Sequence, residues 1–216
     1  MSSISKIKRL QINKIKEDEI LPLICAAAAL RREDYLTEFI ERAKTTGVKE
    51  KVLYESLLQN YLFVGYPSAL ISLKILKEYF PRMDVSDTDS WDLNKYTIQG
   101  TKNCKRIYGR KFNKLISNVR SFSPELSDWL LLEGYGKVLG RKGLSLKKRE
   151  LNIIAVLTVL RFEDQLYSHI NGALRTKASI AQVKCVITNF KIFNDKEIIK
   201  VGMKVFKKYL SDKGIG

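Results

Sequence analysis

The sequence predicts an all-α fold in which one helical unit is used twice, with the two repeats packed about a pseudo-twofold axis. Three observations lead there. Apolar residues recur at helical spacing along most of the chain, and few segments favour strands. A stretch near the N-terminus, ALRREDYLTEFIERA, is also echoed by LRFEDQLYSHINGA at a fixed offset of 130. Leu30, Arg31, Glu33, Asp34, Leu36, Ile40 and Ala43 recur as Leu160, Arg161, Glu163, Asp164, Leu166, Ile170 and Ala173. A unit of a few amphipathic helices leaves an apolar face uncovered, and its twin can cover it. The echo breaks most sharply in chemistry at Phe39, which faces His169, the single histidine of the chain.

The elements follow in order. Residues 1–19 form a basic, polar N-terminal segment. The first repeat spans 20–83. Leu21, Ile24, Cys25 and Ala28 share a helical face, as do Leu36, Ile40 and Ala43, and then Val52, Leu53, Leu57, Leu58 and Leu62. Gly65-Tyr66-Pro67 is read as a stop: glycine allows a left-handed cap, and proline suits the first turn of the next helix. A further helix is expected over 68–79, through Ala69, Leu70, Leu73 and Leu76. Residues 84–100 carry four Asp and no apolar period, which reads as a linker. Beyond it, 101–216 hold two connecting helices (113–119 and 124–135) and the second repeat. That repeat opens near Ser145, a plausible N-cap, and its helices are expected over 146–160, 163–175, 180–190 and 196–210. One compact double-repeat domain results.

Composition narrows the class. The net charge is +16, and residues 101–120 carry seven Lys or Arg and no acid. Such a surface attracts anions, but no zinc-finger spacing, aromatic-basic ribonucleoprotein motif or distinct helix-turn-helix accompanies it, so a nucleic-acid partner is not expected. No apolar run reaches about 18 residues, so no membrane span is expected. The polar N-terminus lacks the apolar core of a signal peptide, and a cytoplasmic location is expected. Cys25, Cys104 and Cys185 are odd in number and far apart, which indicates neither a disulfide framework nor a metal site.

The string WLLLEGYGKVLGRKGLSLKKREL resembles the carboxymuconolactone decarboxylase family, related to the alkylhydroperoxidase D-like proteins. The resemblance rests on Tyr135, Gly136, Val138, Arg141, Gly143, Leu144, Arg149, Glu150 and Leu151, then His169, Ala173 and Leu174. The Gly-aromatic-Pro-x-Ala element is present in the first repeat, from Gly65 to Ala69, and Ile107-Tyr108-Gly109-Arg110 is similar to the lead-in before a second unit. The resemblance covers 20–82 and 100–210 as a tandem, and implies the alkylhydroperoxidase D-like helical unit, no cofactor, and a homo-oligomer, with a homotrimer expected for a tandem chain.

The peroxidase branch of that family uses a Cys-x-x-Cys pair upstream of the His. Here Phe162 and Gln165 occupy those positions, so the attacking thiolate and its resolving partner are missing. Glu150 and His169 remain, as the decarboxylase branch implies. In that reading His169 manages a proton, Glu150 orients or relays to it, and Arg149, Arg141 and Arg161 are candidates to hold the carboxylate of a small anionic substrate such as a lactone acid. Each residue also has a plainer use: a histidine beside an apolar face, an acid favoured by a helix N-terminus, solvated arginines in KKRE, and a turn brace at Arg161. A member of the family without chemistry, serving as an oligomeric binding or scaffold protein, is the alternative.

Overall fold

The computed structural model describes residues 5–84 and 91–215. All regular structure among them is helical: α1 (Lys6–Ile12), α2 (Glu17–Ala29), α3 (Glu33–Thr45), α4 (Glu50–Leu58), α5 (Tyr61–Tyr79), α6 (Leu93–Tyr108), α7 (Phe112–Phe122), α8 (Pro124–Trp129), α9 (Leu146–Val159), α10 (Glu163–Arg175), α11 (Ile180–Thr188) and α12 (Lys196–Asp212). Short 3₁₀ turns follow α6 and α11, and a wide π-type segment, Leu130–Val138, continues α8. No helix among the described residues is long and apolar enough to cross a membrane.

α9 is the centre of the molecule. Every residue from Arg149 to Val159 is buried, because α2, α10, α11 and α12 all pack on it. Its N-terminus is fixed by Ser145, whose hydroxyl accepts from Lys148 N at 3.3 Å. α3 and α10 each open with a Glu-Asp pair, which suits the positive end of a helix dipole. Both follow a tight turn through a left-handed arginine, Arg31 at φ 55° and Arg161 at φ 62°. In that turn Arg32 N donates to Ala27 O and Phe162 N donates to Leu157 O, each at the same relative position. Left-handed backbone costs a non-glycine residue about 1–2 kcal/mol, so these turns persist only because the helices around them are firmly packed.

Two regions differ from the sequence expectation. The segment 84–100, read as a linker, is helical from Leu93 onward; residues 85–90 lie outside the described residues. Asp92 caps α6 by accepting from Lys95 N at 2.9 Å. The buried face of α6 is Tyr96, Gly100, Asn103, Cys104 and Ile107, in which Ile107 is the one aliphatic side chain. The N-terminal segment also holds structure: α1 lies within it, and α2 starts at Glu17. The stop expected at Gly65-Pro67 is a break inside α5, where Gly65 takes φ 71° and ψ 175°.

α6 crosses the π-type segment at van der Waals distance of the two backbones. A Cβ at Gly100 would lie 1.8 Å from Leu131 O, and one at Gly136 would lie 2.1 Å from Tyr96 O. Only glycine fits either position. The crossing, together with Asn103 Nδ2 donating to Tyr135 O at 2.9 Å, sets Tyr135 beside the core.

Candidate functional site

His169 lies on the buried face of α10 with Leu166, Ile170 and Ala173, and Glu150 lies on α9 one helix away. The two side chains meet: His169 Nδ1 and Glu150 Oε2 are 2.9 Å apart, with the carboxylate fully buried and the imidazole nearly so. A carboxylate only accepts, so this bond places the ring proton on Nδ1 and leaves Nε2 as the nitrogen open to chemistry. Nε2 makes no hydrogen bond to the described residues, and Glu150 Oε1 is buried without a donor. A buried carboxylate oxygen left unpaired is costly in a core. Space for the carboxylate comes from Gly172: a Cβ there would stand 2.4 Å from Glu150 Oε2.

Aromatic rings enclose the imidazole. Phe63 and Tyr108 each lie 6.4 Å from it, at 83° and 75° to its plane. Tyr108 in turn meets Tyr135 edge-on, and Tyr135 OH donates to Tyr108 OH at 3.0 Å. Burial first, and then the charge of Glu150, push the Tyr108 phenol above its ordinary range, although the bond from Tyr135 opposes this. Burial also raises Tyr135 well above its ordinary range. Both phenols therefore stay protonated and act as hydrogen-bond donors. Cys104, buried beside them, is pushed up to about 12 by burial and by Glu150, and burial likewise raises Cys25. Neither supplies a thiolate. Among the described residues no group of three or more His, Cys, Asp or Glu could hold a metal ion.

The arginines are placed differently. Arg149, a candidate clamp whose plainer reading is a solvated residue of KKRE, is fully buried, and its guanidinium turns onto α4. Arg149 Nη2 donates to Glu55 Oε2 at 2.8 Å and to Arg141 O at 3.1 Å, and Nη1 to Gln59 Oε1 at 3.3 Å. Arg141 Nε reaches the same carboxylate at 3.0 Å. Burial pulls Arg149 down from its ordinary value, and Glu55 offsets this. Arg161 sits in the left-handed turn before α10, largely exposed, with Nη2 3.9 Å from Asp195 Oδ2. The structure thus brings His169 and Glu150 together, and directs the guanidinium groups of Arg141 and Arg149 to Glu55 and that of Arg161 to Asp195.

Sequence reasoning did not single out Glu55, Gly172, Phe63 or the Tyr108–Tyr135 pair as part of a site. Glu55 lies between Leu53 and Leu57 on a helix, where a lone acid reads as solvated, yet it is fully buried. Tyr108 and Tyr135 each precede a glycine, Gly109 and Gly136, and that shared pattern was the available signal.

Two surface clefts, with about 220 and 330 Å³ of open space, lie elsewhere. One is lined by Arg31, Arg32 and Ser68, the other by Glu19, Gln182 and Cys185.

No family model matches the sequence. Proteins similar to this chain include "Peroxisomal protein 2" of Schizosaccharomyces pombe, 29% identical over 140 residues, covering 61% of this chain and 63% of that protein. A second is the 4-carboxymuconolactone decarboxylase of Acinetobacter baylyi, 25% identical over 118 residues, covering 54% of this chain and 88% of that protein. The match to the first spans less than two thirds of that relative's own length. The similarity to the second suggests a distant family relationship to 4-carboxymuconolactone decarboxylase.

Proposed function

We propose that the chain is a tandem relative of 4-carboxymuconolactone decarboxylase that performs cofactor-free acid–base chemistry on a small carboxylate-bearing anion, with His169 and Glu150 at the centre. The observation that carries this reading is the buried pair itself: an imidazole held by a carboxylate at 2.9 Å, with Nε2 unbonded among the described residues. In the reaction, His169 begins as the imidazolium. The bond between the ligand carbon and its carboxylate breaks, carbon dioxide leaves, and the electron pair spreads into the conjugated lactone. The Nε2 proton then moves to carbon, and the neutral imidazole, still donating from Nδ1 to Glu150, regains a proton from water. Glu150 keeps the ring oriented throughout.

The tandem reading is supported by helices α3 and α10, and α4 and α11, whose bounds coincide at the offset of 130. The chain is further proposed to assemble as a homotrimer, which light scattering after size-exclusion chromatography tests against a monomer of 24.8 kDa. The name of the Schizosaccharomyces pombe relative ties that protein to the peroxisome. A fluorescent fusion of this chain discriminates a peroxisomal from a cytoplasmic location.

The activity is tested by release of carbon dioxide from 4-carboxymuconolactone. Wild-type protein is expected to release it, and His169→Ala to lose about 10²–10⁴-fold in rate, the usual share of a general acid. A second reading, a binding or scaffold protein without chemistry, is favoured by one observation: Arg141 and Arg149 reach Glu55, so neither reads as a free clamp for a substrate carboxylate. Absence of carbon dioxide release from wild-type protein selects that second reading.

A further inference from the structure

The hydroxyl pair Tyr108–Tyr135 is unexplained by the acid–base pair alone. Tyr135 is 3% exposed, and among the described residues its hydroxyl has one hydrogen-bonding partner, Tyr108 OH at 3.0 Å. If Tyr108 were the donor in that bond, the Tyr135 proton would be buried with no acceptor, at a cost of about 1–3 kcal/mol. The direction is therefore fixed: Tyr135 donates and Tyr108 accepts. Tyr108 is less buried than Tyr135, and its own O–H proton has no acceptor among the described residues. It stands in the ring cluster around His169, whose Nε2 also lacks a partner among the described residues. With its oxygen already accepting from Tyr135, this partly buried phenol has its own proton available to an oxygen from outside. The high-lying phenols keep it a donor across neutral pH.

From this geometry we propose that Tyr108 is a second ligand-contacting residue of the His169 site, donating a hydrogen bond to an oxygen of a small carboxylate-bearing anion, while Tyr135 is the positioning residue that aims it. The proposal rests on the anion-processing reading above. In a decarboxylation, the oxygen it meets is the lactone carbonyl, onto which the electron pair spreads as carbon dioxide departs; a donor placed there stabilises charge that develops only during reaction. Tyr108 and His169 then divide the work: one holds the oxyanion, the other protonates carbon.

The experiment uses the full chain with paraconate, a saturated lactone carboxylate that has no conjugation to support turnover, and with 4-carboxymuconolactone for rates. Calorimetric titration is made on wild-type protein, Tyr108→Phe, Tyr135→Phe and the double Tyr108→Phe/Tyr135→Phe variant. Tyr108→Phe alone strands the Tyr135 proton, whereas the double variant buries no unpaired hydroxyl and so controls for folding. Tyr108→Phe and the double variant are each expected to bind paraconate about ten-fold or more weakly, with kcat on 4-carboxymuconolactone falling further than affinity. Tyr135→Phe is expected to lie between them and wild type. Unchanged paraconate affinity and unchanged rates in the double variant, with an active wild type, overturn the role of Tyr108 and leave the reading of His169 standing. A wild type that neither binds paraconate nor decarboxylates 4-carboxymuconolactone overturns both.

Discussion

Helices α2–α3 and α9–α10 occupy equivalent positions along the chain, turn through the same left-handed arginine, and bury different chemistry. At the offset of 130, Ile20, Phe39 and Arg42 in the first pair stand where Glu150, His169 and Gly172 stand in the second. Ile20 and Phe39 are fully buried, and Phe39 packs edge-on against Phe193 at 6.0 Å. Arg42 leaves the core to donate from Nη2 to Ile15 O at 3.0 Å. The fold therefore closes over an apolar pair as readily as over an acid and a histidine. Glycine at 172 leaves the room that the Glu150 carboxylate occupies. The buried polar pair is what sets the second region apart from the first.

The largest expected effect lies outside the pair and tests the join between the two regions. Glu55 on α4 holds Arg149 on α9 in a fully buried ion pair. Glu55→Ala leaves that guanidinium buried and uncompensated, at about 3–5 kcal/mol. The thermal midpoint is expected to fall by roughly 10 °C for a chain of this size. A fall of only a degree or two in a thermal melt contradicts the brace.

The next variant makes the second region chemically like the first. Glu150→Ile with His169→Phe removes both polar groups together, and replacement of a buried pair by apolar side chains is often neutral or stabilising by about 1–4 kcal/mol. The double variant is expected to melt at or above wild type while losing all decarboxylation. His169→Phe alone strands Glu150 and is expected to melt well below the double variant. Equal melting of the single and double variants breaks the comparison. Gly172→Ala, one methyl pressed against Glu150 Oε2, is expected to cost about 1–3 kcal/mol by overpacking, read from urea unfolding.

The last expected effect is one of pH. Cys104 ordinarily titrates at 9.0 and is raised to about 12, and Tyr108 and Tyr135 are raised above their ordinary 10.0. Groups raised in the folded state hold their proton longer folded than unfolded. Their stabilising contribution is complete below pH 9, and it is lost as pH rises through about 12. Thermal midpoints measured from pH 7 upward are expected to stay level to about pH 9 and then decline. A midpoint that rises over that interval reverses the sign and contradicts the burial of these groups.

Much of the helical architecture was legible because aliphatic residues at helical spacing bury one face, as Leu36, Ile40 and Ala43 do. α6 was not legible: its buried face holds one aliphatic residue, Ile107, beside Tyr96, Gly100, Asn103 and Cys104, and its cap Asp92 sat in an acidic stretch that read as a linker. The acid and histidine that meet at 2.9 Å were singled out by the broken echo and the family resemblance. The destination of the arginines was not, since neighbouring helix positions such as Arg149 and Glu150 face different helices, and the partner Glu55 lies 94 residues away. Long-range pairing of that kind leaves no local pattern.

The central claim is that His169 is held by Glu150 through Nδ1 and offers Nε2 to a ligand. Because the chain has one histidine, a long-range proton–nitrogen correlation spectrum of nitrogen-15-labelled protein reports that ring alone. The account predicts an Nδ1-protonated ring in the neutral state, with the Nε2 resonance moving on addition of 4-carboxymuconolactone or paraconate, and with that tautomer preference lost in Glu150→Gln. A ring protonated at Nε2 in wild-type protein, or one whose nitrogens do not respond to either lactone, would contradict it.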